Sequence, residues 1–183
     1  MNITPAFRTA LALGGLVTLC CCVSAPTPPP PAAEPPPPPV TAPEPLAENW
    51  RDWPIAAGDW SYQRTAAGSI ARFGQRGEPP LLTFRCDLAT KRIFVGRATS
   101  LPPAQISGQM RIHTTYSVTD WPVADGQSVN MAGQVVAVRT AGDGTFDHIS
   151  FSRGRIGVEA PGARQIAVPR WPEMSRVIED CRG

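Results

Sequence analysis

The stretch "QMRIHTTYSV", residues 109–118, carries the clearest structural signal in the chain. Its apolar and polar side chains alternate, and a period of two is typical of a β-strand with one face against a core. The side chains on the predicted core-facing side are Met110, Ile112, Thr114, Tyr116 and Val118. His113 falls on the opposite, polar side, where we expect a solvated residue.

Seven other short segments have the composition of strands. They are residues 59–64, 69–74, 81–86, 92–98, 134–140, 155–160 and 164–168. Stretches such as "TSLPPAQISG" and "PGA" separate them, and their Gly and Pro are typical of turns. The segment "GDGTFDHIS" (142–150) is ambiguous between a short helix capped by Asp143 and the start of a strand. The pattern predicts a mainly β domain, either an antiparallel β-sandwich or a small barrel.

A short C-terminal α-helix is predicted in "PEMSRVIEDC", residues 172–181. Pro172 suits the first turn of a helix, where its missing N–H group costs nothing. One apolar stripe follows at helical spacing and consists of Met174, Val177, Ile178 and Cys181. We therefore expect the helix to pack this stripe against the β-core.

Residues 1–22 have the parts of an export signal. Arg8 supplies positive charge, and the apolar run Ala10–Leu19 is too short for the ~20 residues that span a bilayer. Three adjacent cysteines follow and resemble the lipobox of bacterial lipoproteins, in which a cysteine takes a diacylglyceryl group. Cys22 fits the pattern best, because Leu19 lies three positions before it, and Cys20 and Cys21 are the alternatives. Ordinary cleavage and an uncleaved anchor are the other interpretations.

Residues 23–49 are predicted to form a disordered linker between this signal and a β-rich extracytoplasmic domain at 50–183. Twelve of the 22 prolines lie between Pro26 and Pro45. Proline fixes φ and removes the backbone donor, so the tract is expected to be an extended polyproline II stalk. We interpret it as a spacer that holds the domain away from the membrane. The alternative is a docking peptide for an aromatic-lined groove.

Two cysteines remain outside the signal, Cys86 and Cys181. In an exported chain such a pair predicts a disulfide. Cys86 shares the inward face of "LLTFRC" with Leu82 and Phe84, and Cys181 lies on the apolar stripe of the predicted helix. No metal site is predicted, because the sequence has no C-x-x-C and no His near either cysteine.

The sequence contains no common catalytic or cofactor-binding motif. A G-x-S-x-G elbow, H-E-x-x-H, a Walker loop and a dinucleotide-binding glycine fingerprint are all missing, and no cofactor is predicted. His148, beside Asp147, is a candidate general base, but no nucleophile can be named beside it. Asp143 and Asp147 could meet a cation on one helical face. "AGDGTFD" lacks the other oxygen ligands of a calcium loop, so turn chemistry is the better interpretation.

Five residues are candidates for binding. Arg153 and Arg155 flank a glycine in "SRGR" and could hold a phosphate or a carboxylate. Trp53, Trp121 and Trp171 each precede a proline at a predicted element end. Exposed together, the three rings could form a shelf for a sugar or a peptide. The simpler interpretation is that each ring fills one end of the β-core.

The charge pattern argues against a nucleic-acid partner. The net charge is only +2, the arginines are scattered, and Lys91 is the single lysine. A nucleic-acid surface needs clustered basic residues with interleaved aromatics.

Several phrases carry a family resemblance: "GDW" near residue 58, a cysteine at the end of an early strand, "SRGRIGVE" and "IAVPRWPEMSRVIEDC". With the lipobox-like signal and proline tract, they resemble uncharacterised proteobacterial envelope lipoproteins. More loosely, the tail is similar to invasion-associated locus B-like proteins. The resemblance implies an extracytoplasmic β-domain and implies no active site.

The sequence thus favours a lipid-anchored accessory protein of the bacterial cell envelope that faces the periplasm and has no catalytic activity. Its predicted partner is the membrane, through the N-terminal lipid. An alternative is a binding module or inhibitor that recognises a glycan or an envelope protein through exposed Trp and Arg. A hydrolase is the weaker alternative.

Overall fold

The structure is a computed structural model that describes residues 47–125 and 131–183. The predicted export signal, the candidate lipidation cysteines and most of the proline-rich linker lie outside the described residues. The described part contains a β-rich domain with two α-helices and two short 3-10 turns, at Trp50–Asp52 and Pro103–Gln105. Within this part, no helix is long and apolar enough to cross a membrane.

Antiparallel strands make up most of the regular secondary structure in the described domain. In chain order the elements are β1 (Asp59–Thr65), β2 (Gly68–Gly74), β3 (Leu82–Asp87), β4 (Arg92–Ala98), β5 (Gln109–His113), β6 (Val118–Pro122), β7 (Gln134–Thr140), α1 (Thr145–Phe151), β8 (Arg155–Glu159), β9 (Ile166–Pro169) and α2 (Pro172–Arg182). They form a five-stranded sheet in the order β1-β2-β3-β4-β7 and a four-stranded sheet in the order β6-β5-β8-β9.

The two sheets enclose one hydrophobic core. Phe73, Phe84 and Val95 of the first sheet and Ile112 and Ile156 of the second are fully buried in it. Neither sheet closes on itself, so the domain is an open sandwich and not a barrel. The mainly β class, the sandwich and the C-terminal helix that the sequence predicted are confirmed.

The single strand predicted over residues 109–118 is wrong. The chain turns back after His113, and β5 and β6 pair as a hairpin across Thr114–Ser117. The Thr114 hydroxyl accepts hydrogen bonds from the backbone N–H of Tyr116 (3.2 Å) and of Ser117 (2.9 Å). Side-chain bonds of this kind stabilise turns, and here they override the alternating pattern. Tyr116 and Val118 are therefore exposed instead of facing the core.

The solvated position expected for His113 is also wrong. The N-terminal strap, residues 47–57, crosses the outer face of the second sheet and covers this side chain. The rings of Trp50 and Trp53 pack against the imidazole with centroid distances of 5.8 and 5.3 Å. The Nε2 atom of His113 lies 2.5 Å from a carboxylate oxygen of Glu159. His113 is thus a buried residue that joins the strap to the sheet.

The ambiguous segment after β7 is a helix, α1. Asp143 accepts a hydrogen bond from the backbone N–H of Thr145 at 2.8 Å and pairs with Arg139 at 2.7 Å. Burial alone would raise the pKa of Asp143, but these bonds hold that pKa below its ordinary value. The carboxylate therefore stabilises the first turn of α1.

The helix α2 packs on the β-core as the sequence predicted. Its stripe of Met174, Val177, Ile178 and Cys181 is buried. Cys86 and Cys181 are joined in a disulfide with a Cα–Cα distance of 5.4 Å. The predicted bridge is confirmed, and it ties the last helix to β3 across a sequence separation of 95.

Candidate functional site

The three predicted tryptophans do not share a surface. Trp53 is only 4% exposed and Trp121 1%, whereas Trp171 is 40% exposed. Trp53 lies in the strap against His113, and Trp121 packs on Phe146 in the core with a centroid distance of 5.4 Å. An exposed shelf of three rings is therefore wrong, and Trp171 alone remains available to a ligand.

The two arginines of the "SRGR" turn differ in their contacts. Arg155 donates from Nη1 to the backbone carbonyls of Arg51 (3.1 Å) and Trp53 (2.8 Å), so it holds the strap. Arg153 is exposed, and its backbone N–H donates to the Thr115 hydroxyl at 3.1 Å. Only the Arg153 side chain remains at the surface as a binding candidate.

Ser152 joins three segments at one end of the domain. Its hydroxyl donates to the carbonyl of Arg155 (2.7 Å) and accepts from the backbone N–H of Thr115 (3.1 Å). Its own carbonyl accepts from Nε of Arg170 at 3.4 Å. The β5–β6 turn, the end of α1 and the β9–α2 junction therefore meet around one fully buried residue.

Exposed side chains collect on these three segments. We call this set the aromatic end, and its members are Tyr116, His148, Phe151, Arg153 and Trp171. Tyr116 is 57% exposed and Phe151 66%. The Tyr116 and His148 rings stack with a centroid distance of 5.8 Å and an interplanar angle of 21°. Three of the five large apolar side chains that the described domain exposes, Tyr116, Phe151 and Trp171, belong to this set. Exposed apolar side chains that collect on neighbouring segments are typical of recognition surfaces.

Among the described residues, His148 has a hydroxyl partner but no carboxylate partner. Its Nδ1 lies 2.8 Å from the Ser117 hydroxyl oxygen. The neighbouring carboxylate, Asp147, pairs instead with Arg182 at 2.6 Å. A serine–histidine hydrolase needs a third group that orients the imidazole. Of these three groups, the described residues provide the hydroxyl of Ser117 and the imidazole of His148.

The two aspartates weighed for a cation are both engaged by arginine, Asp143 by Arg139 and Asp147 by Arg182. Across residues 47–125 and 131–183, no cluster of three or more His, Cys, Asp or Glu could hold a metal ion.

Sequence reasoning missed Tyr116 and Phe151. It placed Tyr116 on a core face, because the alternation of residues 109–118 continues through the turn. The run "TTYS" was the available signal, since clustered Thr and Ser favour turns. Phe151 belongs to the segment whose structure was ambiguous, and its exposure follows from where α1 ends.

Comparisons with protein-family models, curated proteins and solved structures gave no match to this chain. The resemblance to envelope lipoproteins therefore stays a prediction, and function has to be argued from the geometry.

Proposed function

We propose that this chain is a lipid-anchored accessory protein of the bacterial cell envelope whose β-domain binds a glycan through the aromatic end. The observation that carries the proposal is the gathering of exposed Tyr116, His148 and Phe151 around the buried Ser152. The disulfide supports an oxidising compartment outside the cytoplasm. The lipid anchor itself rests on the lipobox-like cysteines of the sequence.

The chemistry of the aromatic end suits a sugar chain. A pyranose ring presents C–H groups to a flat aromatic face and hydroxyls to polar neighbours. Tyr116, Phe151 and Trp171 offer the faces, while Arg153 and His148 offer polar groups beside them. A stable protein partner would bury about 800 Å² and about 20–30 residues on each side, many more residues than the aromatic end contains.

One observation favours a hydrolase, the hydrogen bond between Ser117 and His148 at 2.8 Å. Two features speak against it. Asp147 pairs with Arg182 and does not orient the imidazole. The backbone N–H of Ser117 donates to the Thr114 hydroxyl, so it is not free to stabilise an oxyanion. Binding without catalysis is therefore the function that we propose.

Replacing Tyr116 and Phe151 together by Ala is expected to abolish glycan binding without unfolding the domain. Both side chains are more than half exposed, and surface truncations change stability little. The measurement is cosedimentation of the full chain, in neutral detergent, with isolated peptidoglycan sacculi. The wild type should sediment with the sacculi, and the double variant should stay in solution with an unchanged melting temperature.

Ile55→Ala is the matched control, because it removes another exposed apolar side chain, one that pairs with Ala167 outside the aromatic end. It should bind like the wild type. Equal binding by all three proteins, or no binding by the wild type, would contradict glycan recognition at this surface. Release of soluble sugar by the wild type, lost in Ser117→Ala, would favour the hydrolase instead.

The anchor makes a separate prediction. Mass spectrometry of the mature chain from a bacterial host should find a diacylated N-terminal cysteine at Cys22, since Leu19 stands three positions before it. Cys22→Ser should then abolish the lipid mass and release the protein from membranes. An unmodified N-terminus at Ala25 or Pro26 would show ordinary cleavage and remove the anchor from the proposal.

A further inference from the structure

A cavity of about 820 Å³ opens on the outer face of the five-stranded sheet, away from the aromatic end. Its charged lining residues are Arg72 of β2 and Arg85 and Asp87 of β3. Arg85 lies directly opposite Ile70, and Ile70 and Arg72 are two residues apart on one strand, so the two arginines share a face. They are diagonal neighbours across adjacent strands, within reach of one ligand group.

Arg85 is positioned for recognition. Its guanidinium lies over the Phe94 ring, 4.0 Å from the centroid. In the described part of the chain, no hydrogen bond is formed by its side-chain N–H groups. The ring contacts the flat face of the guanidinium, so the N–H groups along its edge stay available. That edge matches a planar pair of oxygens. The side chain is therefore oriented while its donors remain unused.

The Arg72 guanidinium contacts an uncharged side chain. Its Nη1 makes one long contact, 3.5 Å, to the side-chain oxygen of Gln63. Among the residues that the structure describes, no carboxylate lies within 4.0 Å of either arginine. Asp87 does not compensate them, because it accepts from the backbone N–H groups of Ala89 and Thr90 in its own turn.

An arginine on the outer face of the second sheet, by contrast, has a carboxylate partner. Arg111 forms two hydrogen bonds to Asp120, at 2.7 and 2.9 Å. The same bonds hold the pKa of Asp120 below its ordinary value. Arg72 and Arg85 differ from Arg111 in having no carboxylate partner among the described residues.

The wall behind the cavity is closely packed. Gly68, at the start of β2, has φ of 151°, and a Cβ there would lie 2.1 Å from the carbonyl oxygen of Cys86. The β1–β2 turn thus packs directly on the strand that carries the disulfide. A site held on a rigid element loses little entropy when a ligand binds.

We propose that this cavity binds a phosphate-bearing ligand through Arg72 and Arg85. A carboxylate has two oxygens and is satisfied by one guanidinium, whereas a phosphate or pyrophosphate has oxygens for two forks. The ligand comes either as a soluble phosphate or as a phospholipid headgroup. This site is independent of the glycan surface, and its outcome does not depend on the function proposed above.

The test is calorimetric titration of the full chain in neutral detergent micelles with two probes, inorganic pyrophosphate and phosphatidylglycerol dissolved in the micelles. At least one probe should bind saturably. Arg72→Gln and Arg85→Gln should each weaken binding by about tenfold or more, as expected for loss of a charge-assisted hydrogen bond. Arg85→Lys keeps the charge but loses the fork and the stacking, so it should weaken binding nearly as much.

Arg92→Gln is the matched control, because Arg92 is exposed on the same sheet and does not line the cavity. It should leave affinity unchanged. Saturable binding of pyrophosphate alone would identify the ligand as a soluble phosphate. Saturable binding of the phospholipid alone would identify it as a lipid headgroup, and binding of both probes would show that the site accepts either. Binding of neither probe, an equal loss in Arg92→Gln, or wild-type affinity in Arg85→Lys would overturn the proposal.

Discussion

Removing the Cys86–Cys181 bond is expected to lower the free energy of unfolding by about 2–5 kcal/mol. The bond closes a loop with a sequence separation of 95, so the unfolded chain gains much conformational freedom when it is cut. The helix that it holds has 11 residues, below the ~12–15 at which an isolated helix is even marginal in water. Urea unfolding of the wild type and of a Cys86→Ser/Cys181→Ser double variant measures the difference.

Reductant provides the control for this prediction. It should shift the urea midpoint of the wild type toward that of the double variant and leave the double variant unchanged. The buried stripe of Met174, Val177 and Ile178 still favours the docked helix when the bond is absent. A wild-type midpoint that does not respond to reductant would mean that packing alone holds α2.

The sequence was sufficient for features set by local pattern. Alternation located most of the strands, and the apolar stripe after Pro172 located the last helix, because both patterns reflect which face of an element is buried. Cys86 lay on the inward face of one predicted element and Cys181 on that of another. The predicted export to an oxidising compartment then made their pairing the simplest inference.

Features that depend on distant contacts were not predictable. His113 has a polar-face position in its strand, and it is buried because Trp50 and Trp53 of the strap pack on it from a distant part of the chain. Arg155 likewise reaches the carbonyl of Trp53 across 102 positions of sequence. Nothing in the local pattern around either residue reports such a neighbour.

The candidate site shows the same difference between features of local sequence and features that need distant contacts. Arg153 was named from its glycine turn and Trp171 from its place before Pro172 at a predicted element end, and both are exposed. Tyr116 and His148 meet only because the β5–β6 turn folds against α1, with Ser117 and His148 separated by 31 positions. The aromatic end therefore depends on tertiary structure. The sequence allowed single members to be predicted, but not that they lie on neighbouring segments.

Trp121→Ala is expected to destabilise the domain by about 3–5 kcal/mol, the cost typical of truncating a buried aromatic side chain. Trp121 is 1% exposed, packs on Phe146 and lies opposite Met110 in the hairpin. Trp171→Ala removes the same side chain from a 40% exposed position and should cost about 1 kcal/mol or less. Urea unfolding of the two variants compares one chemical change in two environments.

The two variants also separate stability from binding. Trp171→Ala should weaken sedimentation with sacculi while the domain stays folded, whereas Trp121→Ala should lose binding only to the extent that it unfolds. Trp121→Phe refines the comparison, because the indole N–H of Trp121 is buried without an acceptor in the described part of the chain. Phe keeps most of the packing and removes that unpaired donor, so it should cost far less than Ala. Equal destabilisation by Trp121→Ala and Trp171→Ala would contradict the burial on which this assignment rests.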